Sequence, residues 1–317
     1  MSQFIGYFMP LIPAMEIKKF AAIDIGSNSV RLLIEHVIET PKEAAMFKKN
    51  SLIRVPVRLG PDAFTDHKIP EATVKRLIEA MMGYKYIMKV NEVIHYKGCA
   101  TSAMREAKNG AEIVKRIEKE TGIKIEIISG NNEANMIFNS QNFIASKIGS
   151  DCLFVDVGGG STEITIFIKG KAVAARSFDI GTIRLLSNQV KKEYWKELKD
   201  WLKKETKTIK AFSLVGSGGN INRLFKMAEL KQGKPLTFEL LQNMTTQIKK
   251  HSIDDRIKIF DLNPDRADVI VPAGEIFLNI MKFVGATKIY VPKIGLSDGM
   301  VREVYKEYKA GKRTEIV

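Results

Sequence analysis

Two segments far apart in this chain share one design. Ala22-Ile23-Asp24-Ile25-Gly26-Ser27-Asn28-Ser29 and Val155-Asp156-Val157-Gly158-Gly159-Gly160-Ser161 each run from apolar residues through an aspartate and one more apolar residue into a glycine-led polar turn. A second apolar run then follows in both places. One strand, turn and strand of this kind is common. Two copies, each opening a similar succession of elements, point to two related domains. Those domains are expected to face each other across a cleft, each offering one turn to it.

The succession is strand and helix in alternation, which places the chain in the α/β class. Expected strands are Phe20–Ile25, Val30–Val37, Asn50–Leu59, Val93–Cys99 and Ile123–Ile128, then Cys152–Val157, Thr162–Ile168, Ala172–Phe178, Phe212–Val215 and Thr287–Val291. Apolar residues at helical spacing predict helices over Pro70–Val90, Asn109–Thr121, Glu133–Ser146, Lys191–Lys210, Glu239–Lys250, Arg266–Phe283 and Ser297–Tyr308. Gly122 closes the second of these. The break at Ser129-Gly130 is the expected boundary, giving one domain of residues 1–129 plus 297–317 and another of 130–296. A length of 317 residues suits two such domains.

The chain carries 50 basic against 36 acidic residues, a formal charge of +14. That surplus favours anionic partners and speeds their encounter without naming the anion. Lysines crowd Lys191–Lys210, where Trp195, Leu198 and Leu202 share one side; the favoured reading is a solvated amphipathic face rather than a polyanion track. Cys99 and Cys152 stand at apolar runs with no metal-ligand spacing, so they are read as buried free thiols of a reducing cytosol. Met1 to Ala14 is mostly apolar but lacks the basic start of a secretory signal, and Met15 begins a more typical start. No stretch is long and apolar enough to span a membrane. The expectation is a cytoplasmic protein with no membrane partner and no specific nucleic-acid partner.

The turns suit phosphate. An anion is bound by backbone N–H groups that converge on it, and glycine permits the close approach and the unusual dihedrals this requires. Gly158-Gly159-Gly160-Ser161-Thr162 offers successive amides and two hydroxyls, and Gly26-Ser27-Asn28-Ser29 offers amides and three polar side chains. Gly216-Ser217-Gly218-Gly219 precedes an apparent helix, whose positive end adds to the effect. Asp24 and Asp156 end their strands at these turns, and Glu163 lies on the outgoing strand of the second. Carboxylates so placed can hold Mg²⁺, a hard ion that keeps several waters, with Mn²⁺ as a substitute. There is no GxxxxGK[ST], no HExxH and no adjacent His-Asp pair, so P-loop, zincin and HD-type sites are excluded.

Further motifs complete an ordered set: Ala100-Thr101-Ser102-Ala103-Met104-Arg105, Ser129-Gly130-Asn131-Asn132-Glu133-Ala134, Gly181-Thr182-Ile183-Arg184 and Arg266-Ala267-Asp268-Val269-Ile270. With the two aspartate turns, this set resembles the exopolyphosphatase/guanosine pentaphosphate phosphatase (Ppx/GppA) family from about Phe20 to Val301. The resemblance implies two ribonuclease-H-like domains of the actin/hexokinase/Hsp70 superfold with a cleft between them. It implies Glu133 as general base, Arg105 as a phosphate contact, and Mg²⁺ on Asp156 and Glu163. Family members often show two glutamates before the alanine of the Ser-Gly motif; here the first is Asn132. The expectation is a short form, without the added C-terminal helical domain of long members, and a homodimer is common in the family.

The reaction expected is Mg²⁺-dependent removal of the terminal phosphate from polyphosphate. The alternative substrate is guanosine pentaphosphate. Two further readings are an ATP-dependent kinase of the same superfold, which the Gly216–Gly219 turn would serve, and a non-catalytic sensor of polyphosphate or an alarmone. Retention of Glu133, Asp156 and Glu163 argues against the sensor, since a binder needs no base.

Overall fold

A computed structural model describes residues 15–41, 43–139, 151–207, 209, 212–292 and 294–311. Among these residues the strands form two sheets. The first contains β1 (Glu16–Ile25), β2 (Val30–Glu39), β3 (Met46–Val55), β4 (His95–Ala100) and β5 (Glu126–Ile127), in the order β3-β2-β1-β4-β5. The second contains β6 (Cys152–Val157), β7 (Thr162–Ile168), β8 (Lys171–Phe178), β9 (Ser213–Ser217), β10 (Leu236–Thr237) and β11 (Lys288–Tyr290), in the order β8-β7-β6-β9-β11-β10. Each sheet begins with an antiparallel three-stranded meander and continues with parallel strands beside the first strand of that meander. The sequence echo is therefore an echo of topology, with β10 as an extra antiparallel edge on the second sheet.

Strand alternation sorts the core into three layers. Ala21, Ile23 and Ile25 face an outer layer with residues of α2 (Glu71–Val90) and α4 (Gly110–Thr121), including Leu77, Met81, Tyr84, Ile113 and Ile117. Leu153, Val155 and Val157 face the opposite outer layer, with Leu198, Leu202, Ile276 and Phe277. Phe20 and Ala22 from β1 and Cys152 and Phe154 from β6 meet in a shared layer between the sheets. That layer is filled by Met136 of α5 (Gly130–Asn139) and by Leu296, Met300, Val301 and Val304 of the helix Leu296–Lys309. The same period of two carries Asp24 and Asp156 onto the inner faces, at the strand ends.

Most elements lie within a few residues of expectation; four differ, and two of these have a physical cause. The third strand was expected over Asn50–Leu59 but spans Met46–Val55; Pro56 has no N–H to continue the ladder. The helix expected over Arg266–Phe283 is two, Pro264–Ala267 and Ile270–Val284, with Asp268 between them drawn to Arg58. The helix expected from Glu133 begins at Gly130, and its residues 140–146 lie outside the described residues. Short helices at Gly60–Thr65 (α1), Ser102–Glu106 (α3), Thr182–Leu186 and Ile253–Phe260 were not anticipated. In the helix Lys192–Thr206, Leu198 and Leu202 are buried while Lys196, Lys199, Lys203 and Lys204 face solvent. The stretch 1–14, which carries Met1 to Ala14, lies outside the described residues. Among the described residues no helix is long and apolar enough to cross a membrane.

Candidate active site

The two echo turns close in the same way. The Gly26 N–H donates to the Ser29 carbonyl at 3.2 Å, and the Gly158 N–H to the Ser161 carbonyl at 2.9 Å. Neighbouring segments then tie down the turn carbonyls. Gly60 N–H donates to Ser27 O at 2.7 Å and Arg58 N–H to Asn28 O at 3.1 Å. In the second turn Thr182 N–H reaches Gly158 O at 3.1 Å, Ile183 N–H reaches Gly159 O at 2.8 Å and Arg184 Nε reaches Gly160 O at 2.6 Å. With those carbonyls engaged, the polar main-chain groups the turns have left for an anion are amides.

None of Gly26, Gly158, Gly159 or Gly160 has a positive φ. The expected need for unusual dihedrals is not met there; close approach is the cause. A Cβ on Gly159 would lie 2.9 Å from the Ser27 Cβ, and one on Gly160 would overlap Ser102 and Phe64. The two turns thus touch each other across the cleft floor. Gly218 alone of the three glycine turns uses the left-handed region, at φ 111°.

Around this floor Asp24, Glu133, Asp156 and Glu163 line one small cleft with Gly26, Ser27, Asn28, Ser29, Arg31, Thr101, Ser102, Gly158, Gly159, Ser161 and Gly218; its free volume is about 50 Å³. Burial raises the proton affinity of all four carboxylates. Asp156 is pushed up to about 6 by burial, aided by Asp24, and Glu163 to about 7 by burial, aided by Asp156. Glu133 is raised well above the ordinary range by burial and then by Glu163. Asp24 is raised by burial against the pull of Arg31, whose Nη1 lies 3.1 Å from Asp24 Oδ2. Ser177 donates to Glu163 Oε1 at 2.7 Å. Glu133 sits in the first turn of α5, and Arg105 Nη1 donates to Ile128 O at 2.7 Å while lying 3.5 Å from Glu133 Oε2.

The cleft opens into a second chamber of about 280 Å³, which shares Asp156, Arg31 and Gly218 with it and adds Lys49, Arg54, Ser217, Gly219 and Arg266. Burial and the neighbouring Arg54, Arg31 and Arg223 lower the proton affinity of Arg266 against the pull of Asp265; Arg31, Arg54 and Lys49 each also pair with an acid, Asp24, Asp265 and Asp298 respectively. Of the residues expected to contact phosphate, Gly216 is packed inside β9 against Ile289 and Phe277, and Thr162 donates its hydroxyl to Ile180 O at 2.5 Å. Ser217 donates to Ile294 O at 2.6 Å at the chamber wall. Arg31 and Ser177 reach the site without having been singled out, and Ser102 and Arg266, quoted only as members of motifs and given no role, reach it too. For Arg31 a signal existed: a four-residue turn fixes the hairpin register, which sets Asp24 opposite Arg31 as it sets Asp156 opposite Glu163.

Among the described residues no three carboxylate, imidazole or thiol groups gather closely enough to cage a metal by themselves. The donors present are hard oxygens, two of them, Asp156 and Glu163, opposite each other across β6 and β7. Such a pair suits Mg²⁺, which binds through one or two carboxylates and completes its shell with water and substrate phosphate.

The model of the Ppx/GppA phosphatase family matches residues 44–307. A bifunctional 3-dehydroquinate synthase/phosphatase of Fusobacterium nucleatum is 30% identical over 301 residues, covering 86% of this chain; the chain spans 44% of that protein's length. Exopolyphosphatase 1 of Mycobacterium bovis is 22% identical, with 89% of this chain and 87% of that protein covered. A guanosine-5'-triphosphate,3'-diphosphate pyrophosphatase of Aeromonas hydrophila is 24% identical over 89% of this chain and 58% of its own length. The crystal structure of the Aquifex aeolicus Ppx/GppA family member superposes with a TM-score of 0.72 at 28% identity, covering 92% of this chain and 99% of that one.

Proposed function

The chain belongs to the Ppx/GppA phosphatase family, with the two-domain actin/hexokinase-like fold of that family, and from that premise we propose that it removes the terminal phosphate of inorganic polyphosphate in a divalent-metal-dependent hydrolysis. One observation carries the reading: four carboxylates meet two amide-bearing turns in a small cleft that leads into a chamber lined by Arg31, Arg54 and Arg266. The cleft has room for one phosphoryl group, and the arginines offer charge to the phosphates behind it.

Asp156 and Glu163 would hold Mg²⁺, or Mn²⁺ in its place, and the bound ion would draw charge off the terminal phosphate. The amides of Gly159, Gly160, Ser27 and Asn28 bind and orient the terminal phosphoryl oxygens. Glu133, whose burial raises its proton affinity, takes a proton from a water as the water oxygen attacks phosphorus. The bridging P–O bond breaks, its electron pair leaves with the shortened chain, and orthophosphate is released. Arg105 steadies the Glu133 carboxylate and offers its charge to the departing oxygens. Phosphoryl transfer depends chiefly on such positioning and charge neutralisation.

Glu133→Gln is expected to lower kcat by about 10²–10⁴-fold with little change in KM. A variant that releases phosphate from polyphosphate at the parent rate would remove Glu133 from this role. Hydrolysis of guanosine pentaphosphate is the second reading; the similarity to the Aeromonas protein and the volume of the basic chamber favour it. Phosphate release from short polyphosphate, long polyphosphate and guanosine pentaphosphate, measured side by side with and without Mg²⁺, decides between them. A cytoplasmic setting agrees with the buried free thiols Cys99 and Cys152.

A further inference from the structure

Helix α3, only five residues long, touches three parts of the cleft. At its start Ser102 Oγ lies 2.9 Å from Ser27 Oγ of the first turn. At its end Arg105 faces Glu133. The next residue, Glu106, turns the other way and forms an ion pair with Arg184 Nη2. Arg184 is 8% exposed, and its Nε donates to the Gly160 carbonyl at 2.6 Å. Its guanidinium carbon stands 4.4 Å from the centre of the Phe64 ring, and Phe64 together with Ser102 leaves no room for a Cβ on Gly160.

Arg184 therefore lines neither the cleft nor the arginine chamber. Its charge is shared between Glu106 and, at 3.6 Å, the exposed Asp179, and its Nε is given to the turn. A continuous polar chain runs from Gly160 through Arg184 and Glu106 to α3, and from Arg105 to Glu133. Resting on the reading above, in which the second turn holds the reacting phosphate and Glu133 is the base, we propose that Glu106 and Arg184 are a positioning pair that sets the second glycine turn in register with Glu133. The planar guanidinium fork suits this task, because it fixes two acceptors at a set angle, which an ammonium does not. Neither residue touches substrate; each acts through the groups it holds.

Kinetics of phosphate release, on whichever of polyphosphate and guanosine pentaphosphate the parent turns over, test the pair together with thermal melts. Arg184→Met is expected to lower kcat by about 10–100-fold, the scale of a displacement of about 1 Å at a reacting centre, with KM within about threefold. Arg184→Lys, which keeps the charge but cannot span both partners, should restore less than half of the lost rate. Glu106→Gln, which keeps an acceptor for Arg184, should lower kcat by about 3–10-fold. The double variant Glu106→Gln/Arg184→Met should be no slower than Arg184→Met, since both break one link. A folded Arg184→Met enzyme with kcat within about twofold of the parent, or a double variant whose loss is the product of the two single losses, would overturn the proposal. If Arg184→Met does not fold, Glu106→Gln decides: parental kcat overturns the pair. Glu133→Gln assayed in parallel separates the two ideas. A slow Glu133→Gln beside parental Arg184 and Glu106 variants sinks only the pair, whereas a parental Glu133→Gln sinks the assignment of the base.

Discussion

The two hairpins that floor the cleft share a register but not a charge. In the first, Asp24 lies opposite Arg31 and is held by it; in the second, Asp156 lies opposite Glu163. The first pair is neutral within itself. The second is two acids side by side, Glu163 buried and Asp156 half-buried, and each keeps its proton above the ordinary carboxylate range. One duplicated frame thus carries a counter-ion within the hairpin in one copy, whereas in the other Asp156 and Glu163 feel only the more distant charges of Arg31 and Arg105. The comparison shifts weight among the three acids expected to ligate metal: Asp156 and Glu163 have the stronger claim, and Asp24 already has its cation.

The sharpest way to break this contrast is to neutralise the second pair. Glu163→Gln is expected to cost about 10²–10³-fold in kcat, on the scale of losing one electrostatic stabiliser of the transition state, and to weaken Mn²⁺ binding measured without substrate. Next comes the packing asymmetry of the turns. Gly160→Ala must displace both Ser102 and Phe64, which should destabilise the fold by about 1–3 kcal/mol by denaturant titration, whereas Ser27→Ala, which adds no atom and loses only the contact with Ser102 Oγ, should cost less. A third test uses pH. The raised proton affinities of Asp156, about 6, and Glu163, about 7, mean that the metal-free folded state holds protons which unfolding releases. Stability from these groups is full below the unfolded carboxylate values, near pH 4, and is lost as pH rises toward 7, beyond which it is level. Melts of the metal-free protein should fall across that window, and saturating Mg²⁺ should raise them most above pH 7. The smallest effect is expected at Asp24→Asn, with kcat lowered by no more than about tenfold, because the amide still accepts from Arg31. An Asp24 variant that loses Mn²⁺ affinity as fully as Glu163→Gln would erase the distinction between the hairpins.

How much of this was legible in the sequence follows from range. The duplicated strand and turn is local, and with alternation it carries Asp24 and Asp156 to the inner face of each sheet. The approach of Asp156 to Glu163 follows from counting outward from a four-residue turn; the same count finds Arg31 opposite Asp24. The arginine chamber was not legible, because Arg54 and Arg266 come from β3 and from a helix end where one helix had been expected to run through. That break is made by Asp268 meeting Arg58, a contact between residues 210 apart in the chain. The link from Arg184 to Glu106 spans 78 residues and no local pattern announces it. The glycines were recognised, but the reason for three of them lies in what packs against them rather than in their own dihedrals.

The apolar layer between the sheets makes the seating of one sheet on the other depend on a helix that follows both hairpins in the sequence. Met300, Val301 and Val304, from near the end of the chain, pack beside Phe20 and Phe154, each from the opening strand of its sheet. A ribosome that has already delivered both hairpins still holds back the helix that seats one sheet on the other. A chain cut short before this helix would carry every acid of the cleft yet lack the side chains that pack between the two sheets.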